Sequence, residues 1–511
     1  MNKLIKNGLA LSVLTVATLP LSYVIRLILS KNLTLEEFGL FFAMISFFSI
    51  LQSFNDFGFS ETQLYFIPKF IEQGRLDKIK ATIKTQLINQ VVTTFVIGLI
   101  LTTFAQWFST TIFHYPEATT LFRLFVLYFI FNDFLQNTHV LFFSHQETAY
   151  HGSQEPVRIL LSVLLLLIAT ALFTFDLLIV TWIWVGVYAV LAISYFVLFI
   201  LKHPELFRAS SYSPLKIYKE FIPFLLPTIL SNNAGLLFSR GTETFLAIVK
   251  GVADVGLYNI AKPISNLALA ITSPIAQLLK PYISQVHEQK NVDVIRNIIL
   301  TILNSGVFLL IPFFVILIFY SKESIVFLFG DQFIAASMTL KIISFEIFFN
   351  IMNTFIFGIV FGLGLQKSRA KIIYLSSFAS LILSLILIPR FGPVGVALAN
   401  LAYAVIALSG GIYIIREKIY FDLPIKNYIK IFALLLILVA SQFLLKLVSS
   451  PLISYQFALF FIKAGIGLGI YFALGIFVFK IVELKSILNL LEKKLPEKIK
   501  NVFIVGNREV V

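Results

Sequence analysis

Cysteine is absent from the 511 residues, which excludes disulfides, thiolate metal sites and cysteine nucleophiles. Charge is scarce: charged residues make up 13% of the chain, against about 25% in an average soluble domain. The six histidines are scattered, without paired metal-ligand spacing. No GxxxxGKS/T loop occurs, so ATP hydrolysis by that route is excluded and a primary pump would need a separate motor subunit. The period-two alternation of outer-membrane barrel strands is also missing. What fills the chain is apolar. Hydrophobic residues account for 58% and mean hydropathy is +0.92. Segments of about 20 apolar residues span a bilayer as helices, and about fourteen are legible. They lie near 8–30, 38–60, 85–107, 120–144, 157–175, 178–201, 221–248, 254–279, 297–319, 335–364, 370–388, 393–415, 428–448 and 457–480. The sequence therefore predicts an all-α polytopic membrane protein.

The formal charge of +14 does not point to nucleic acid, because the basic residues sort by side. With a cytoplasmic N-terminus, 29 of the 40 Lys and Arg fall in even-numbered connections and tails, Arg158 among them, and 6 in odd-numbered ones. That bias obeys the positive-inside rule with both termini cytoplasmic, in the cytoplasmic (inner) membrane. The first segment has the basic start of a signal peptide but is too long for its apolar core and lacks a small-residue cleavage site, so it reads as a membrane helix. The outer connections are too short to hold a catalytic domain, and the chain is not expected to be an enzyme.

The chain repeats itself. Lys31 and Glu37-Phe38-Gly39-Leu40-Phe41 open the second span; Lys250 and Asp254-Val255-Gly256-Leu257-Tyr258 open the eighth. Each of these spans leads to a Pro-Lys or Lys-Pro pair, Pro68-Lys69 and Lys280-Pro281, before a polar loop. Both matches fall on one membrane side, which predicts parallel repeats with a substrate site at their interface. The expected organisation is an N-lobe over 1–202 (six spans), a linker over 203–219, a C-lobe over 220–418 (six spans), an added helix pair over 419–482, and a cytoplasmic amphipathic tail over 483–511. Five prolines, Pro223, Pro227, Pro263, Pro274 and Pro281, crowd the seventh and eighth spans. They bend these helices, either as a mobile gate or as static curvature.

Charged residues at bilayer depth cost a few kcal/mol each and normally face a cavity or a partner. Here Arg26, Asp56, Asp133, Arg240, Glu243, Lys262, Lys341, Glu346 and Lys463 lie inside apolar segments. Arg240 and Glu243 share a helix face at spacing i, i+3. Polar residues join them: Gln52 and Asn55, Asn132, Gln136 and Asn137, Asn232 and Asn233, Asn259 and Asn266, Asn350 and Asn353. A shared aqueous cavity satisfies the whole set; interhelical hydrogen bonding satisfies the Asn and Gln residues equally well. Arginine grips phosphate with two parallel hydrogen bonds. Glu243 either neutralises Arg240 or binds a coupling cation.

Four stretches carry a family resemblance: LTLEEFGLFFA (33–43) with FNDFGFSETQLYFIPKF (54–70), ADVGLYNIAKPISNLALAITSPIAQLLKPYISQ (253–285), FLFGDQFIAASMTLKIIS (327–344), and FGLGLQKSRAKI (361–372) continuing to PRFGPVGVALANLAYAVIA (389–407). Their order resembles that of the oligosaccharide flippases of the polysaccharide transporter family, in the multidrug/oligosaccharidyl-lipid/polysaccharide exporter superfamily. The resemblance implies a fold like that of the multidrug exporters and flipping of a polyprenyl-diphosphate-linked glycan through a cationic cavity. Arg26, Arg240, Lys262, Asn232 and Asn259 are then the expected substrate-binding residues. Asp56, Asp133, Glu243 and Glu346 are expected to balance charge or take up a coupling ion, H⁺ or Na⁺. No cofactor or metal is expected. The implied partners are the lipid-linked oligosaccharide, membrane lipids, a polysaccharide polymerase and a chain-length regulator. A peptidoglycan-precursor flippase and a multidrug exporter of the same superfamily stay open as alternatives.

Overall fold

Inside a bilayer every backbone N–H and C=O must find its partner within the protein, and the chain meets this demand with helices. The computed structural model describes residues 18, 20–208, 212–447, 456–479 and 481, with the side chains of 53, 224, 226–240, 265–268, 270–271, 273–275, 277–278, 447 and 456–460 left outside; no strand occurs among the described residues. In order come 20–32 (α1), Leu35–Asn55 (α2), Phe59–Glu72 (α3), Leu76–Thr103 (α4), Thr119–Ser144 (α5), Thr148–Leu172 (α6), Leu177–Lys202 (α7), Pro214–Lys250 (α8) and Val252–Glu288 (α9). They are followed by Val292–Phe319 (α10), Ser321–Phe329 (α11), Ala336–Gly362 (α12), Gln366–Phe391 (α13), Pro393–Lys418 (α14), Ile425–Leu447 (α15) and Gln456–Ala473 (α16). The described part of each of the fourteen apolar segments is largely helical. Eleven of the described helices are long and apolar enough to cross a membrane. The tail over 483–511 lies outside the described residues.

The α3 helix departs from the expected second span, which ran to residue 60. The chain leaves α2 through Phe57 at φ 47° and Gly58 at φ 75°. The Asp56 carboxylate then accepts the Ser60 N–H at 3.1 Å and its hydroxyl at 2.6 Å, which starts α3. Asp56 thus spends its oxygens on a helix start.

The repeated motif has a physical function in packing. Thr34 and Glu37 form a reciprocal capping box that begins α2. At the other copy, Gly251 at φ 90° joins two helices of 37 residues each. Only glycine adopts that angle without steric cost. The two motif glycines then meet. A methyl group on Gly39 would stand 1.9 Å from the Val252 carbonyl oxygen, and one on Gly256 would stand 3.2 Å from Gly39 Cα. Helices α2 and α9 therefore cross backbone to backbone at equivalent positions of the repeat.

Two compact units emerge. The first runs to Ile275 and takes in Lys322–Ile347 and Lys371–Ala407. Its interior is aromatic: Phe41 meets Phe125 and Trp184 edge-on, and Phe48 packs on Phe122, Phe125 and Phe129. At one end of this unit, Lys78 and Tyr212 both donate to the Glu220 carboxylate, tying the expected linker to the start of α4. The second unit comprises Ala276–Ser321, Phe348–Ala370 and the chain from Leu408. There α15 and α16 pack on α10 through Phe308, Leu434, Leu438 and Tyr471. In the last pair a methyl on Gly467 would clash with Gln442, whereas one on Gly465 or Gly469 would meet nothing within 4 Å.

Two outcomes follow. Gly39→Ala should lower stability by about 1–3 kcal/mol through overpacking, whereas Gly186→Ala, whose methyl meets nothing within 4 Å, should not; thermal unfolding in detergent compares them. Burial opposes the Glu220 charge, but Tyr212 and Lys78 outweigh it and hold the pKa below the ordinary 4.5. A lowered folded pKa gives stability that is complete above the unfolded value and lost as pH falls through the folded one. Acidification below 4.5 should therefore lower the unfolding temperature, and Glu220→Gln should flatten that dependence.

Candidate functional site

The deepest charge in the first unit is Glu243, at 0% exposure on α8. A lone carboxylate cannot stay ionised in such surroundings, so partners must approach from other helices. Ser46 Oγ on α2 donates to Glu243 Oε2 at 2.5 Å. Lys262 Nζ on α9 forms an ion pair with Glu243 Oε1. The Lys262 ammonium also lies 5.3 Å from the Tyr258 ring centroid, and the Tyr258 hydroxyl accepts from Asn400 Nδ2 at 2.9 Å. Ser46 and Lys262 follow Gly39 and Gly256 by about two turns, or roughly 10 Å along each helix. The glycine crossing is thus what brings α2 close enough for a hydroxyl to reach the carboxylate. Lys262 is 27% exposed.

The other expected residues are distributed differently. Arg26 on α1 is partly buried, its guanidinium 5.0 Å from the Phe42 ring centroid. Asn259 is buried and donates to Val255 O on its own helix at 3.1 Å. Glu346 is partly buried on α12. The side chains of Arg240 and Asn232 lie outside the described residues. Asp133 sits in a cage of neutral donors: Asn55 Nδ2 at 2.9 Å, Gln90 Nε2 at 2.9 Å and Thr94 Oγ1 at 2.7 Å all reach Oδ2. Asn137 extends this network to Gln90 at 2.7 Å. Four elements, α2, α4, α5 and α3 through Gln63, are joined by it.

Sequence reasoning missed two groups. Ser46 is one hydroxyl in an apolar helix and carries no signal of its own. Arg158 was assigned to a connection, but it lies in α6, about 15 Å from the helix start. Its guanidinium pairs with Glu155 and stands 5.5 Å and 5.6 Å from the Trp184 and Tyr188 ring centroids. The stretch before it, HGSQEP over 151–156, is polar, so hydropathy places Arg158 at the edge of the apolar run.

Removing one member of a buried pair leaves the other uncompensated, at a cost of about 3–5 kcal/mol. Lys262→Met should therefore destabilise the protein strongly, and adding Glu243→Gln should recover most of the loss. Thermal unfolding of the single and double variants measures the coupling; additive losses would mean that the two groups act independently.

Comparison with known proteins places this geometry in a family. Residues 4–287 match the model of the polysaccharide biosynthesis protein family. An uncharacterised membrane protein of Methanocaldococcus jannaschii is 22% identical over 487 residues, covering 93% of this chain and 95% of its own. The probable low-salt glycan biosynthesis flippase Agl15 of Haloferax volcanii is 26% identical over 179 residues, 35% of this chain and 38% of that one. Among solved structures, the lipid II flippase MurJ in an inward closed conformation superposes with a TM-score of 0.71 at 15% identity, covering 92% of this chain and 99% of that chain. An inward-facing multidrug-resistance MATE transporter of the MOP superfamily gives 0.60 at 14% identity, covering 81% and 94%. The chain belongs to the polysaccharide biosynthesis protein family and has the fold shared by these transporters.

Proposed function

We propose that the protein is a flippase that carries polyprenyl-diphosphate-linked oligosaccharide units across the cytoplasmic membrane for surface-polysaccharide assembly. The observation that supports this most is the Lys262–Glu243–Ser46 group, a partly accessible ammonium held on a fully buried carboxylate within the membrane-spanning helices. A diphosphate offers Lys262 a stronger anion than one carboxylate. As Lys262 turns to the phosphate, Glu243 is left to take a proton or Na⁺ in its place. Arg240, one turn before Glu243 on the same helix, and Arg26 add further phosphate donors. In this reading alternating access requires the α2–α9 glycine crossing to part. Both termini face the cytoplasm in this reading, following the basic-residue bias. The cargo crosses without any covalent bond being made or broken, and a polymerase and a chain-length regulator act on it afterwards.

A peptidoglycan-precursor flippase is the second reading, favoured by the likeness of the fold to MurJ. The paired rather than purely acidic site speaks against a cation-drug exporter.

In cells lacking the protein, lipid-linked repeat units should accumulate on the cytoplasmic face and surface polysaccharide should fall. Lys262→Ala and Arg240→Ala at matched membrane levels should restore less than a tenth of export. Accumulation of peptidoglycan precursor instead would shift the cargo to the second reading. Unchanged glycan export with raised sensitivity to cationic drugs would overturn the flippase assignment.

A further inference from the structure

The interior of α5, α6 and α7 holds polar atoms that the protein does not use. Gln154, Arg158 and Ser162 recur at i, i+4 and i+8 on one face of α6. Gln154 is 4% exposed and Ser162 0%, yet Gln154 Nε2 and Ser162 Oγ have no hydrogen-bond partner among the described residues. The Trp184 indole N–H on α7 and Asn132 Oδ1 on α5 are likewise buried and unpartnered. Arg158 lies one turn from Gln154 and from Ser162 on α6, and contacts lead from it towards Trp184 and Asn132. Arg158 stacks on Trp184 and Tyr188; Tyr188 meets the Tyr128 ring edge-on at 4.8 Å; Tyr128 OH accepts from Asn132 Nδ2 at 3.2 Å.

A buried polar atom without a partner is costly because it has given up its hydrogen bonds to water, and native interiors hold few of them. Four in one cluster, beside an arginine and three aromatic rings, describe a surface kept ready for a ligand. The charge balance narrows its chemistry. Arg158 is already matched by Glu155, so the cluster has no net charge to offer a phosphate. It offers donors (Gln154 and Trp184), an acceptor (Asn132), a hydroxyl that does both (Ser162), and ring faces. Hydroxyl-rich rings with apolar C–H faces need that combination.

We propose that this cluster is a saccharide subsite that takes a neutral sugar of the translocated headgroup, while the Lys262 group takes its diphosphate. The inference rests on the flippase reading. It adds that the two chemical halves of the headgroup are held by different helices, and that Gln154 and Ser162 set specificity for the glycan.

Removing the unused atoms makes the test clean, because replacing an unsatisfied buried polar group with an apolar one is neutral or stabilising when it has no ligand to serve. In a Trp107→Phe, Trp182→Phe background, Trp184 is the sole indole. The purified protein in nanodiscs is titrated with farnesyl diphosphate and with a farnesyl-diphosphate-linked neutral disaccharide. The disaccharide lipid should bind more tightly and change Trp184 fluorescence, whereas farnesyl diphosphate should bind without changing it. Gln154→Leu and Ser162→Ala should each weaken the disaccharide lipid about five- to tenfold, leave farnesyl diphosphate affinity unchanged, and keep or raise the unfolding temperature. Equal affinity for both lipids in the parent protein, or unchanged disaccharide affinity in both variants, overturns the subsite while the flippase reading stands. Binding of neither lipid overturns both.

Discussion

The structure depends on keeping one carboxylate charged where neither water nor lipid can solvate it. Glu243 is fully buried, and Lys262 and Ser46 come to its oxygens from two other helices. Ser46 arrives because α2 lies against α9 at the Gly39–Gly256 crossing, where no side chain separates the backbones. That crossing in turn needs the Gly251 turn, which lets α9 start directly after α8. Local backbone freedom, helix approach and charge compensation form one chain of causes. A buried pair of this kind gains little net stability, since desolvation offsets attraction. Its value lies in exchange, because an ammonium held by one anion can be offered to another.

The first unit solves the problem of polar groups in an apolar bundle in two contrasting ways. Around Asp133, three neutral donors converge on one carboxylate oxygen and a fourth residue extends the network. Those donors tie helices together, as interhelical hydrogen bonds do generally. Around Arg158 the ion pair is complete but neighbouring amide, hydroxyl and indole groups are not. The first arrangement has consumed its hydrogen-bonding capacity in holding the fold. The second has kept capacity in reserve, which is why the saccharide proposal belongs there and not at Asp133.

Much of this was legible in the sequence. The described part of every apolar segment is largely helical, because a run of about 20 apolar residues in a bilayer has few other options. The repeated Gly-Leu-aromatic motif marked the two places where helices meet. Other features were hidden. The second span ended early because two left-handed residues, Phe57 and Gly58, turn the chain into α3, and hydropathy does not report backbone dihedrals. That the Asp56 carboxylate starts this helix through Ser60 is likewise invisible to hydropathy. Asn259 bonds its own backbone, a choice that spacing on a helix face does not reveal. Arg158 was counted with the connections because its flanks are polar on one side only, although the helix carries it inward.

The sequence by itself determined that the chain lives in a membrane as helices, that its halves repeat, and that charged residues sit within its spans. These follow from composition and periodicity, which act along the chain. Only the tertiary structure decided which charge meets which. Ser46 and Lys262, 197 and 19 positions from Glu243, reach its oxygens from two other helices, and spacing along one helix does not show that. The reason is physical. Electrostatic compensation depends on distance in space, and for a carboxylate buried between helices that distance is set by packing at a glycine crossing rather than by position in the chain.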